Sequence, residues 1–216
     1  MNLDLYCAIV NDGLGRKVVK ILKNNGVKGA TLFKGKGTIN DKIAAFLGLN
    51  DIKKDIVISG CDQETGDRAI LEVYKQLKLS KPNRGICFSV PLEKIIGSSF
   101  YHLDNNIKKN EEDNMEYKLI SVIVDRGNGE SVVDAASKAG ANGATIINAR
   151  GSGIHETQKV FNIEIEPEKE IVIILVKSSI VDQITEAVRQ DMKIDEPGKG
   201  IIFVLDVRQT YGLYQG

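Results

Sequence analysis

Apolar residues follow two alternating rhythms along the chain. Residues 3–10, LDLYCAIV, are apolar and rich in β-formers, and NDGLG at 11–15 then opens a segment whose Val18, Val19, Ile21 and Leu22 share one helical stripe. Gly26 stands where a left-handed cap would end that helix, and ATLF at 30–33 starts a second strand. IVI at 56–58 reads as a third strand. Ala69, Ile70, Val73 and Leu77 give a second amphipathic helix begun by Asp62 or a neighbour, and residues 85–90 form a fourth strand. The order β-α-β-β-α-β is satisfied physically by a four-stranded antiparallel sheet with both helices on one face, a ferredoxin-like α+β unit. Its other face is left uncovered, so apolar strands such as IVIILV call for a further partner there.

The pattern occurs twice. A shift of 114 residues lays LDLYCAIVNDGLGRKVV, from residue 3, over YKLISVIVDRGNGESVV, from residue 117. After one inserted residue the shift is 115: KDIVIS at 54–59 falls on KEIVII at 169–174, Lys78 on Lys193, Pro82 on Pro197, and GICF at 85–88 on GIIF at 200–203. A period this long points to duplicated domains rather than to a solenoid, whose units run to roughly 20–50 residues. The expected organisation is a first domain over 1–98, a polar linker over 99–116 and a second domain over 117–216.

Composition adds exclusions. Lys plus Arg and Asp plus Glu balance at 29 each, so no global field draws the chain to nucleic acid or to an anionic membrane surface. The longest aliphatic run, Ile171 to Val176, falls far short of the roughly 20 residues that span a bilayer. Cys7, Cys61 and Cys87 are odd in number and lack CxxC spacing, as expected of buried thiols in a reducing compartment. Met1 is followed almost at once by a strand pattern, so no signal peptide is expected and the predicted location is cytoplasmic.

Candidate chemistry sits at the turns. NDGLG and DRGNG place Gly13 and Gly15, and Gly127 and Gly129, between a strand and a helix N-terminus, where free N–H groups and the helix dipole favour an anion; the plain alternative is a tight turn. A third glycine is absent, with Val18 and Val132 in its place, so a dinucleotide fingerprint is excluded. Lys36-Gly37 and Arg150-Gly151, with Gly153 beyond, set a cation beside a flexible backbone after the second strand of each repeat. The alternative there is a solvated loop side chain. His102 and His155 lie in separate regions and no thiolate pair assists them, which argues against a metal site. No Ser/His/Asp or Cys/His set can be placed together, so an enzyme is not expected.

The order of elements, GATIINARGSG at 143–153, the apolar third strand and the PGKGIIFVLDV ending resemble the nitrogen-regulatory PII signalling family, in both repeats. The resemblance implies homo-oligomers, trimers in that family. It also implies an adenine nucleotide in clefts between subunits, and a loop after strand two that acts on a transporter or enzyme. Two departures stand out. The family's phosphate lysine before strand four is replaced by Ile86 and Ile201, and the first arginine position after that strand by Gly97 and Gly212. Arg84 and Lys199 lie two residues before those isoleucines, beside Gly85 and Gly200, where an extended backbone would point them the same way. The loops at 35–55 and 150–168 hold no tyrosine, so the family's tyrosine modification does not carry over; NDKIAAFLGL at 40–49 reads instead as a short capped helix. In the second loop, His155, Glu156, Val160 and Phe161 make up the expected partner surface. The leading expectation is a regulatory protein that binds a small anionic ligand or nucleotide. The alternatives are a non-catalytic scaffold with degenerate ligand sites and a CutA-like metal-tolerance protein.

Overall fold

The computed structural model describes residues 2–38, 52–92, 115–151, 158–160, 163–165 and 167–213. The short helix expected at 40–49, the linker from 99 to 114, and Gly97, His102, Gly153, His155, Glu156 and Phe161 lie outside the described residues.

The first repeat runs β1 (Leu3–Asn11), α1 (Gly15–Asn24), β2 (Thr31–Gly37), β3 (Ile52–Asp62), α2 (Gln63–Leu77) and β4 (Gly85–Leu92). The second runs β5 (Tyr117–Asp125), α3 (Gly129–Lys138), β6 (Thr145–Arg150), a hairpin of β7 (Gln158–Val160) and β8 (Ile163–Ile165), β9 (Glu168–Lys177), α4 (Val181–Asp191) and β10 (Ile201–Val207). A short β11 (Gln209–Tyr211) follows. In the first repeat the strands lie in the order β2-β3-β1-β4, and in the second β6-β9-β5-β10. Both are the ferredoxin-like arrangement, in which the first and third strands occupy the centre.

The chain divides into two compact units that do not follow the repeats to the end. Unit 1 comprises residues 1–34, 53–117 and 206–216; unit 2 comprises 35–52 and 118–205. In unit 1, β11 pairs antiparallel with β4, setting Gln209 against Ser89, Thr210 against Phe88 and Tyr211 against Cys87. In unit 2, Lys36 and Gly37 pair with Ile146 and Thr145 of β6, and Thr38 bonds Ala144 through both its backbone and its hydroxyl.

Each core lies between the sheet and its helices. In unit 1, Tyr6, Ala8 and Val10 of β1 pack with Val18, Ile21 and Leu22 of α1 and Ala69, Ile70, Val73 and Leu77 of α2. In unit 2, Ile120, Val122 and Val124 meet Val132, Ala135 and Ala136 of α3 and Ile184 and Val188 of α4. Gly26 closes α1 at φ +97° with Val27 N–H donating to the Leu22 carbonyl, and Gly140 at φ +102° repeats the device after α3. Asp62 caps α2 by accepting from the Thr65 N–H at 2.8 Å. On the sheet face away from the helices the units differ. Cys7, Ile9, Ile56 and Phe88 of unit 1 are buried, whereas Ile201, Phe203 and Leu205 of β10 are 43–47% exposed.

Candidate functional site

The turn between β1 and α1 has an anion at the helix N-terminus, and it belongs to the protein. Asp55 of β3, with 3% of its side chain exposed, accepts from the Gly15 N–H at 2.8 Å and also from the Gly13 N–H. The second repeat does the same with Glu170 of β9, which accepts from Gly127 N–H at 3.1 Å and Gly129 N–H at 2.7 Å. Asp55 and Glu170 correspond under the 115-residue shift. Neither helix has room for a side chain at its first residue: a Cβ on Gly15 would lie 2.9 Å from Asp55, and one on Gly129 2.6 Å from Glu170. Burial pushes the Asp55 carboxyl upward, but the Lys34 ammonium and the two glycine N–H groups outweigh it and hold it below the usual carboxylate range.

Around this shared core the two ends diverge. In unit 1, Lys34 Nζ bridges Asp12 at 2.6 Å and Asp55 at 2.5 Å. Lys54 Nζ donates to Asn11 at 2.7 Å, and the Asn11 amide donates to the Asn83 carbonyl at 3.1 Å, joining the first turn to the turn before β4. Gly13, Gly15, Arg84 and Gly85 therefore gather at one end of unit 1, with Arg84 exposed. In unit 2, Arg126 pairs with Glu168, and Lys169 with Asp125 at 2.6 Å. Arg150 is exposed opposite Glu168 in the β6–β9 ladder, and Gly151 N–H donates to the Pro167 carbonyl at 3.1 Å. Lys199 is exposed beside Gly200. Gly85 and Gly200, at φ +133° and +141°, pass so close to β1 and β5 that an added Cβ would stand 2.5 Å from the Ile9 or Ile123 carbonyl oxygen. Lys36 and Gly37 lie in the β2 ladder rather than on a loop. Val160 is in β7.

Sequence reasoning passed over Asp55 and Glu170 although both stand in the matched stretches KDIVIS and KEIVII, where an acid inside an apolar strand was the available signal. It also passed over Arg208. This guanidinium enters unit 1 and meets Asp4 and Asp67, with the Tyr6 hydroxyl between. Here the repeat offers no signal, because the second-copy counterparts of Asp4 and Tyr6 are Lys118 and Ile120. Among the described residues no group of three or more His, Cys, Asp or Glu is arranged to hold a metal ion. No described helix is long and apolar enough to cross a membrane.

Comparison with known proteins finds its matches in one family. The model of the nitrogen regulatory protein P-II family matches residues 117–216. A nitrogen regulatory PII-like protein of Bacillus subtilis (strain 168) is 28% identical over 102 residues, covering 45% of this chain and 88% of that protein. Among solved structures, the B. subtilis GlnK–ATP complex is 27% identical over 42% of this chain and 81% of its own, with a TM-score of 0.34. Arabidopsis thaliana PII bound to citrate is 23% identical over 44% and 79%, also at 0.34. The matched residues hold the whole second repeat, and among the described residues the first repeat has the same order of its four sheet strands but not the β7–β8 hairpin. The family match is carried by residues 117–216, and it is this second repeat that is similar to the nitrogen regulatory protein P-II family.

Proposed function

We propose that this protein is a non-catalytic regulator that binds a small anionic ligand or nucleotide and acts on a partner, a transporter or enzyme, through the loops that follow β2 and β6. The P-II family match over residues 117–216 carries this reading. The residues assigned to the ligand are the exposed cations Arg84, Arg150 and Lys199, together with Lys36 and the glycines beside them. Ile86 and Ile201 occupy the family's phosphate-lysine positions, so the anion is held by a rearranged set of cations. The turns of Gly13–Gly15 and Gly127–Gly129 orient their helices through Asp55 and Glu170, and these acids supply negative charge where a phosphate would otherwise rest. The protein works in a reducing cytoplasm as a homo-oligomer; its unpaired buried cysteines and the exposed apolar face of β10 support those two parts.

A second reading is a scaffold without a ligand, and the self-occupied turns favour it. Thermal denaturation against a panel of adenine nucleotides and polycarboxylates separates the two. A ligand at 100 times its dissociation constant adds about 2.7 kcal/mol of apparent stability, so a regulator gives a clear rise in Tm. No rise with any member of the panel leaves the scaffold. In the responding ligand, Lys199→Ala and Arg84→Ala should each cost roughly 1.5–3 kcal/mol of binding by calorimetry, as loss of a charged hydrogen bond does.

A further inference from the structure

The buried acids of unit 1 form a receptor whose occupant is part of the same chain. Asp4 is fully buried in β1, and its Oδ2 accepts from Arg208 Nε at 2.5 Å while its Oδ1 accepts from Gln63 Nε2 at 2.9 Å. Asp67, the fifth residue of α2, accepts from the other edge of the same guanidinium, Oδ1 from one terminal nitrogen at 2.5 Å and Oδ2 from the other at 3.1 Å. The Tyr6 hydroxyl accepts from Arg208 at 3.0 Å and donates to Asp67 at 2.5 Å. Two carboxylates thus take different edges of one planar cation, a geometry that a point-charge ammonium cannot copy. Gly66 is part of the construction, since a Cβ there would lie 2.0 Å from the Tyr6 ring. In the second repeat Val181 stands in the place of Gly66, Ile120 in that of Tyr6 and Lys118 in that of Asp4.

Arg208 is also the first residue of a strap. Its N–H donates to the Ser89 carbonyl at 2.9 Å, β11 then runs three residues along β4, and Tyr211 tilts against Tyr74 with ring centroids 5.5 Å apart. Tyr211 packs on the core cluster that contains Cys87, whose thiol has no exposure. A three-residue ladder with one aromatic contact is a weak attachment by itself.

We propose that Asp4, Tyr6 and Asp67 form a guanidinium-selective site, and that Arg208 plugs it to lock the C-terminal strap over the Cys87–Ser89 edge of β4. The strap opens locally when the plug is lost, and a guanidinium supplied from solution refills the site and re-seats it.

The test uses the full chain and site-resolved thiol labelling read by mass spectrometry, with Cys7, on the opposite face of the same sheet, as the internal reference. In Arg208→Ala, Cys87 labelling should rise about tenfold or more with Cys7 unchanged, as local opening requires. Ethylguanidinium should restore protection and ethylammonium should not. Arg208→Lys keeps the charge and guards against a variant that fails to fold; Cys87 should be exposed in it as well. Unchanged Cys87 labelling in Arg208→Ala, a parallel rise at Cys7, full protection in Arg208→Lys, or equal rescue by both cations would each overturn the proposal.

Discussion

Gly66 shows how one missing carbon shapes a neighbourhood. A glycine inside a helix costs about 1 kcal/mol relative to alanine, so Gly66→Ala ought to stabilise α2 if local propensity decided the matter. The Tyr6 ring decides it instead, because it occupies the space of the missing Cβ and is held there by its bond to Asp67. Gly66→Ala is expected to lower stability by about 1–3 kcal/mol in urea titration, as overpacking does, and the cost should shrink in a Tyr6→Ile background. Acid tests the charges of the same unit. Burial raises the Asp67 carboxyl, but its bonds from Arg208 and Tyr6 prevail and leave it below the ordinary range, as Lys34 and the glycine N–H groups leave Asp55. For a depressed carboxyl the stabilisation is complete above the ordinary value of 3.8 and is lost as pH falls through the folded-state value. Tm should therefore drop steeply below about pH 4, and less steeply in Asp67→Asn or Asp55→Asn.

At the scale of elements, what the sequence made legible was whatever local periodicity encodes. The stripes of α1 and α2, the left-handed Gly26 and the Asp62 cap all appear where the apolar spacing and turn residues placed them. β3 runs from Ile52 to Asp62, well beyond the IVI read for it, because Lys53, Lys54 and Asp55 extend the ladder with side chains that no apolar pattern marks. β11 was not legible at all: three residues, QTY, become a strand only because the β4 edge is there to pair with them. The site divides in the same way. Turn glycines show themselves in sequence, but the carboxylates that close those turns arrive from a strand 40 residues away, and Arg208 from 204 residues after Asp4. Gly200 belongs to the legible part and carries its own prediction. At φ +141°, with the Ile123 carbonyl 2.5 Å from any Cβ, Gly200→Ala should destabilise unit 2 by several kcal/mol in chemical denaturation, since backbone strain and a close contact with a carbonyl add.

For the whole molecule, the exposed apolar stripe of Ile201, Phe203 and Leu205 bears on assembly. Contiguous apolar patches of this kind mark interaction surfaces more often than they stay in water. Light scattering after size exclusion should give a mass above that of one 23.7 kDa chain, and Phe203→Glu should shift it downward without loss of helix signal. A wild-type mass of one chain at micromolar concentration would remove the homo-oligomer from the proposed function.

The route of the chain also imposes an order in time. Unit 1 includes residues 206–216, and its Asp4 finds its guanidinium on Arg208. A ribosome that has released the whole first repeat has therefore not yet made the strand that covers β4 or the cation that neutralises Asp4. During synthesis of the second repeat the nascent first unit lacks the guanidinium on Asp4 and the β11 pairing on β4, and an unpaired strand edge promotes mispairing between neighbouring chains. A chain truncated before Arg208 is therefore expected to aggregate more readily than the full chain when the two are refolded side by side and followed by light scattering.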